Sequence, residues 1–191
     1  QGRTIMAVKG RVEAAGGFDP SIRISQDWVL WQRLARLGAR FGGLPDTLAF
    51  YAHRADSLSN DPLPLFHESL SIMALGHGRD PRVPVGLHVD GRPAHELAEA
   101  QLGYACWVAG MLVGRGEDAV PLLGFVPRPS TVPPPVWMAD NLYRAVPHSL
   151  GIPPDEWPVH WKRLERGLSQ FMDALERHTG VTAYARAVRV A

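Results

Sequence analysis

The chain has 191 residues, 46% of them apolar, which is enough for one ordinary domain with a sizeable core. Its 20 Lys and Arg residues nearly balance its 19 Asp and Glu residues, and a net charge of +1 argues against sequence-independent binding of nucleic acid. The single cysteine, Cys106, excludes an intramolecular disulfide framework and any cysteine-rich zinc site.

The beginning of the chain, Gln1-Gly2-Arg3, leads directly into the apolar run Ile5–Val8 without an initiator methionine. No long apolar region or small-residue cleavage site follows, as a signal peptide would require. The longest apolar window, residues 104–113, is about half as long as a membrane-spanning helix. We therefore expect a soluble cytoplasmic protein with no membrane span, from which a preceding N-terminal segment has been removed.

Residues 1–62 are predicted to combine short extended runs with one helix. The extended runs are Ile5–Val8 and Thr47–Tyr51, and glycine turns separate them from the helix. Ser25 is suited to cap the N-terminus of this helix, and Gly38 is suited to follow its last turn. An apolar stripe at helical spacing predicts the face that packs against a core: Leu30, Trp31, Leu34 and Leu37.

Residues 63–191 are predicted to be mainly helical. Three helices are expected, each with a proline at or next to its first residue: Pro64 or Leu65 to Gly76, Pro93 to Gly114, and Pro154 to His178. Five prolines between Pro127 and Pro135 predict an extended connector.

Two of these helices show patterns that predict how they pack. The second half of the helix Pro93–Gly114 is apolar almost all round, which indicates a buried central helix. Its small residues Gly103, Cys106 and Gly110 would let a neighbouring helix approach closely. The helix Pro154–His178 carries an apolar seam that predicts contact with a partner helix: Trp157, Trp161, Leu164, Leu168, Phe171 and Leu175.

One segment of residues 1–62 combines features that suit a catalytic site. The pair Gly16-Gly17 allows positive φ and a close approach of the backbone to a ligand. Asp27 follows at the start of the predicted helix, beside the aromatic rings of Trp28 and Trp31. A glycine loop, a carboxylate and aromatic walls suit an acceptor hydroxyl whose proton must be removed. The same features also fit an ordinary turn and a carboxylate that stabilises the helix dipole.

The sequence of residues 13–59 as a whole points to a particular protein family more specifically than the glycine pair or Asp27 alone. It reads EAAGGFDP at residues 13–20 and SQDWVLWQRLA at residues 25–35, and it continues through Leu44-Pro45, Leu48, Tyr51, His53, Ser57 and Ser59. Between residues 4 and about 60 the chain resembles the C-terminal half of the catalytic domain of family 2 glycosyltransferases. These enzymes have the α/β GT-A fold and usually invert the anomeric centre. The resemblance implies that residues 1–62 are the acceptor-side part of such a domain, and that residues 63–191 are a helical extension.

The resemblance also implies a role for each matched residue. Asp27 would be the general base that deprotonates the acceptor as it attacks C1 of the sugar. The substrate-binding residues would surround it: Gly16 and Gly17 in the glycine loop, Phe18 and Trp28 as walls, and Gln26 beside the base. His53 would help to hold a divalent metal ion, Mg²⁺ or Mn²⁺, on the donor diphosphate.

The chain departs from the family pattern at three points. The family usually has a second acid just before the base, and Gln26 takes that place here. Counting from Tyr51 to Ser57 places Arg54, not His53, where the histidine commonly falls, so both residues stay open as the match. The Asp-x-Asp metal motif and the βαβ pattern of the donor-binding half do not occur in the sequence.

The resulting hypothesis is an inverting glycosyltransferase that moves a sugar from a nucleotide-diphosphate donor to an acceptor hydroxyl or amine. The donor would be bound by an N-terminal segment or by a second chain, the acceptor is not identified, and the helical extension would allow a homo-oligomer. The alternative is a non-catalytic helical binding or scaffold module derived from a glycosyltransferase.

Overall fold

The computed structural model describes residues 5–46, 48, 57–150 and 154–182, and all regular structure in these ranges is helical. The α-helices in them are α1 (Lys9–Ala14), α2 (Gln26–Arg36), α3 (Pro62–Gly76), α4 (Leu97–Gly114), α5 (Pro135–Leu150) and α6 (Trp157–Thr179). Short 3₁₀ turns cover Leu58–Asn60, Ala94–Glu96, Val120–Phe125 and Pro154–Glu156.

The predicted α/β class is wrong for this part of the chain, which is mainly helical and contains no strand. Ile5–Val8, predicted to be extended and β-like, is irregular and leads directly into α1. A run of four apolar residues makes a strand only when a neighbouring strand satisfies its backbone groups, and the described residues provide none. The second predicted run, Thr47–Tyr51, lies outside the described residues except for Leu48.

The described residues form two compact units. The first unit consists of described residues from 1–53 and 67–94, and the second of those from 54–66 and 95–191. The functional division predicted at residue 62 stays a prediction.

In the first unit, a small apolar cluster joins α1 to α2. Ala15, Leu30 and Leu34 are buried at its centre. The half-buried side chains around them are Val12, Trp31, Leu37 and Ala39. The predicted stripe of α2 is therefore confirmed as a core face. Each buried leucine contributes about 1.5–3 kcal/mol relative to an exposed one.

The predicted end of α2 is also confirmed. Gly38 has φ +79°, a conformation that costs glycine little. Its N–H donates to the carbonyl of Ala35 at 2.9 Å, and the N–H of Ala39 donates to that of Leu34 at 3.0 Å. This pair of bonds is a Schellman cap, which satisfies carbonyls that the helix itself leaves without partners.

The second unit is built around α4, as the apolar pattern predicts. Most residues between Gln101 and Gly114 are buried, and α5 is the helix most closely packed against α4. A side chain at Gly110 would overlap the backbone carbonyl of Leu142, and one at Gly103 would overlap the ring of Trp137. The prediction that these glycines permit close helix approach is confirmed.

The apolar seam of the last helix is confirmed for the side chains that the structure describes. Leu164, Leu168, Phe171 and Leu175 of α6 are buried. The ring of Trp161 stacks on Tyr143 of α5 with centroids 4.8 Å apart, and burial raises the pKa of Tyr143 to about 12. None of the described helices combines the length and apolar character needed to cross a membrane.

Candidate functional site

The predicted site residues lie around α1 and α2 in the first unit. Gly16, Gly17 and Phe18 follow α1, whereas Gln26, Asp27 and Trp28 form the first turn of α2. The predicted metal ligand His53 and its competitor Arg54 lie outside the described residues.

The two glycines form the C-terminal cap of α1. The N–H of Gly16 donates to the carbonyl of Glu13 and that of Gly17 donates to that of Val12, both at 2.9 Å. Their φ angles are +80° and +67°. This is the same Schellman geometry that ends α2, so the need for glycine at position 16 follows from the helix end without any ligand. The positive φ of Gly17 is not part of that motif, since Ala39 occupies the same place after α2 without one.

The surroundings of the two glycines differ. A Cβ on Gly16 would lie 3.1 Å from Nη1 of Arg33, so this position is occupied by protein. A Cβ on Gly17 would have no heavy atom within 4 Å. The next residue, Phe18, is 55% exposed. Gly16 and Phe18 are exposed and Gly17 is half-buried, and of the two glycines only Gly17 has open space in the direction of a Cβ.

Arg33 fixes the glycine loop to the middle of α2. Its side chain is buried, and it donates to the carbonyls of Ala15 at 2.6 Å and Gly17 at 2.5 Å. Burial lowers the pKa of this guanidinium from its usual value. Its hydrogen-bond partners are thus backbone carbonyls and not a carboxylate.

A charged cluster holds the segment that follows Phe18. Asp19 accepts hydrogen bonds from the backbone N–H and hydroxyl of Ser21, at 3.0 and 2.6 Å, and pairs with Arg82 at 2.5 Å. Arg82 also donates to both carboxylate oxygens of the buried Asp80, at 2.8 and 3.0 Å. The Phe18–Asp19 segment is thus tied to residues 80–82.

The pKa values of the cluster reflect these bonds. Hydrogen bonds from Ser21 lower the pKa of Asp19. Burial alone would raise the pKa of Asp80, but hydrogen bonds and the charge of Arg82 outweigh it and leave the pKa lowered. The hydrogen bond to Asp80 raises the pKa of Arg82. All three groups therefore carry their charges at neutral pH.

Glu68 of α3 closes the N-terminal end of α2. The backbone N–H groups of Arg23, Ile24 and Ser25 donate to its two carboxylate oxygens at 2.9, 2.9 and 2.7 Å. Ser25 occupies the N-cap position, as predicted, but its side chain makes no capping hydrogen bond. Glu68 instead binds the N–H of Ser25 itself and of the two residues before it, and its negative charge is favoured at this end of a helix.

Asp27 lies in the first turn of α2 and is partly exposed. Its Oδ1 accepts a hydrogen bond from the backbone N–H of Trp28 at 2.8 Å. Oδ2 has no hydrogen-bond partner in the part of the chain that the structure describes. Asp27 precedes Arg33 by six residues, roughly 9 Å along the helix axis. The carboxylate and the anchored glycine loop therefore belong to one rigid element.

The described residues contain no group of three His, Cys, Asp or Glu side chains placed to bind a metal ion. His53, the ligand that the resemblance implies, lies outside these residues. The metal stays a prediction, and no step of the proposed reaction is assigned to it.

Three charged residues that shape this region were not found from the sequence: Glu68, Asp80 and Arg82. Glu68 and Arg82 lie more than 40 residues from the segments that they hold, and Asp80 acts through Arg82, so no local spacing connects them to the glycine loop or to α2. The clustering of Arg79, Asp80 and Arg82 in a glycine- and proline-rich stretch is the only signal that the sequence offers.

No protein-family model, no curated protein and no solved structure matches this chain. The family suggested by the motif string therefore stays a resemblance, and functional conclusions depend on the geometry around α2.

Proposed function

We propose that the first unit supplies the acceptor side of a glycosyltransferase, with Asp27 as the general base. One observation carries this proposal: Asp27 presents a carboxylate oxygen without a hydrogen-bond partner among the described residues, while the segments on both sides of it are fixed. A fixed, accessible carboxylate is what a general base requires.

The proposed reaction is a single displacement. The acceptor hydroxyl or amine transfers a proton to Asp27 as its oxygen or nitrogen forms a bond to C1 of the sugar. The bond between C1 and the diphosphate oxygen breaks, the nucleoside diphosphate leaves with that electron pair, and the configuration at C1 is inverted. Proton transfer to a placed base contributes about 10²–10⁴-fold to such a step.

The neighbouring side chains support binding of a sugar-like acceptor. Phe18 is exposed and Trp28 is partly exposed, and such rings can pack against the apolar face of a sugar. Gln26 is also partly exposed and offers an amide for hydrogen bonds to hydroxyls. Gly17 leaves room for the substrate, whereas Gly16 contributes by accommodating Arg33. The nucleotide-sugar donor would be held by an N-terminal segment or a second chain.

The test uses the complete gene product that carries this sequence, incubated with UDP-, GDP- and dTDP-linked hexoses. Release of nucleoside diphosphate is measured for the wild type and for Asp27→Asn. We expect Asp27→Asn to lower kcat by about 10²-fold or more with an unchanged melting temperature. Asp155→Asn, which removes an exposed carboxylate at the start of another helical segment, is the matched control. Equal rates for the wild type and Asp27→Asn would remove Asp27 from the mechanism.

A non-catalytic helical module is the second candidate, and a specific observation favours it. The positive φ of Gly16 is explained by a helix cap, and α1 and α2 share a small apolar core. Under this function the complete gene product would release no nucleoside diphosphate from any donor in the presence of simple sugar acceptors.

A further inference from the structure

Glu68 binds the three residues that lead into the helix of the proposed base. Residues 23–25 form the entry to α2, and Asp27 follows two positions after Ser25. All three backbone N–H groups of this entry donate to one carboxylate, which comes from a residue 43–45 positions away. Hydrogen bonds to a charged acceptor are about twice as strong as neutral ones. The start of α2 is therefore fixed by a single side chain.

The same face of α3 makes two further hydrogen bonds to α2. Ile72 and Leu75 lie four and seven residues after Glu68, so the three positions share one side of the helix. The carbonyl of Ile72 accepts a hydrogen bond from Gln32 at 3.3 Å, and that of Leu75 accepts one from Arg36 at 2.6 Å. The residues of α2 that α3 binds follow one another along the helix, from its entry through Gln32 to Arg36. We therefore infer that α3 fixes both the position and the rotation of α2.

The side chain of Ser25 does not cap α2. A serine at the N-cap normally accepts a backbone hydrogen bond within its own helix, but Ser25 makes no such bond. The residues that lead into the first turn of α2, which carries Asp27, are held from outside the helix by Glu68.

We infer that Glu68 is a positioning residue for Asp27: its carboxylate holds the entry of α2 so that Asp27 points at the acceptor. This inference rests on the proposed function. Glu68 does not touch the substrate, and its effect acts through the backbone of residues 23–27.

The first experiment measures geometry without activity. Amide hydrogen exchange is followed by NMR in the 191-residue chain for the wild type, Glu68→Gln and Glu68→Ala. Glutamine keeps one acceptor oxygen but turns an NH₂ group towards a backbone N–H. We expect exchange at residues 23–25 and at Trp28 to become about tenfold faster or more, with residues 30–36 of α2 little changed. Unchanged exchange at residues 23–28 in both variants overturns the inference.

The second experiment measures turnover in the complete gene product with the same nucleotide-sugar donors. For Glu68→Gln we expect kcat per folded molecule to fall roughly 10- to 100-fold while the KM of the donor is retained, because a displacement of about 1 Å costs that much. A merely structural role would lower the melting temperature and leave kcat per folded molecule unchanged. Glu13→Gln, an exposed glutamate of the same unit, is the control that should leave both values unchanged.

The outcomes separate the two proposals. A loss of kcat in Asp27→Asn together with a wild-type kcat in Glu68→Gln overturns the positioning role and leaves the proposed function standing. A wild-type kcat in Asp27→Asn overturns the proposed function, and the positioning of a base fails with it. Faster exchange at residues 23–28 combined with a reduced kcat and a retained KM supports the inference.

Discussion

Different kinds of interaction stabilise each of the two units of this protein. The second unit packs long helices against one another through buried apolar side chains, with glycines on α4 that permit close contact. The first unit has a small apolar cluster, and charged side chains bind its loops: Arg33, Arg36, Glu68 and Arg82. Apolar packing is non-directional, whereas hydrogen bonds fix orientation. The unit that contains the candidate site thus relies largely on directional bonds to hold its loops.

Among these predictions, the largest expected loss of stability comes from replacing Arg36 in the first unit. Its buried guanidinium donates to the carbonyls of four residues: Leu75, Gly78, His88 and Val89. Replacing it in Arg36→Met leaves these carbonyls without their donor, and we expect a loss of at least about 3 kcal/mol in the free energy of unfolding. Urea unfolding followed by circular dichroism measures the loss. The exposed Arg40 gives the control Arg40→Met, which should change the free energy by less than about 0.5 kcal/mol. Similar values for both variants would show that the first unit does not depend on its charged side chains.

Gly110 tests the second unit by a steric change. Gly110→Ala places a methyl group against the backbone of Leu142 and the side chain of Ala145. We expect a loss of about 2–3 kcal/mol, because α4 and α5 must separate to accommodate it. Thermal unfolding compares it with Gly124→Ala, whose Cβ meets no atom within 4 Å. If the two variants have the same melting temperature, close packing of α4 and α5 is not what stabilises this unit.

Replacing Asp80 is expected to cause the smallest of these losses in the free energy of unfolding, and this loss should depend on pH. Its pKa in the folded protein is lowered, so its contribution is present above the unfolded pKa of about 3.9 and is lost as the pH falls through the folded pKa. We expect Asp80→Asn to cost about 1–2 kcal/mol at pH 7 and progressively less below about pH 4. Urea unfolding at several pH values measures this difference.

The control for this experiment is Asp90→Asn. Asp90 pairs with Arg79 at 3.2 Å, but both side chains are largely exposed, so the change should stay below about 0.5 kcal/mol at every pH. A cost for Asp80→Asn that is constant from pH 7 to pH 2 would contradict the role assigned to its charge.

Features encoded by local spacing could be predicted from the sequence. The stripe of α2, its end at Gly38 and the small residues of α4 depend on residues within a few turns of each other, and all were confirmed. Helix α5 was not predicted, because its first residue is the last of the five connector prolines and Pro147, which normally argues against a helix, lies inside it.

The fold class and the candidate site were predicted less well, for separate reasons. The α/β class came from the resemblance of a motif string, and the described residues that carry the string form helices and loops. The positions of Gly16, Gly17 and Asp27 at helix ends follow from local rules. The contacts that fix them come from Glu68, Arg33 and Arg82, and two of these cross more than 40 residues of chain. Such contacts depend on tertiary structure, which short-range patterns do not encode.

Arg36 has a consequence for how residues 75–91 can vary. The guanidinium recognises main-chain oxygens, and the carbonyl of Arg36 in turn accepts the N–H groups of Leu87 and His88. These bonds use main-chain atoms, but a side chain at Gly86 would overlap the carbonyl of Arg36, and one at Gly91 would overlap its guanidinium. Positions of this stretch whose side chains make no contact of their own can therefore vary while the path of the chain is preserved, whereas these two glycines cannot. One arginine on α2 thus satisfies the main-chain carbonyls of this connection, as a neighbouring strand satisfies those of a strand in a sheet.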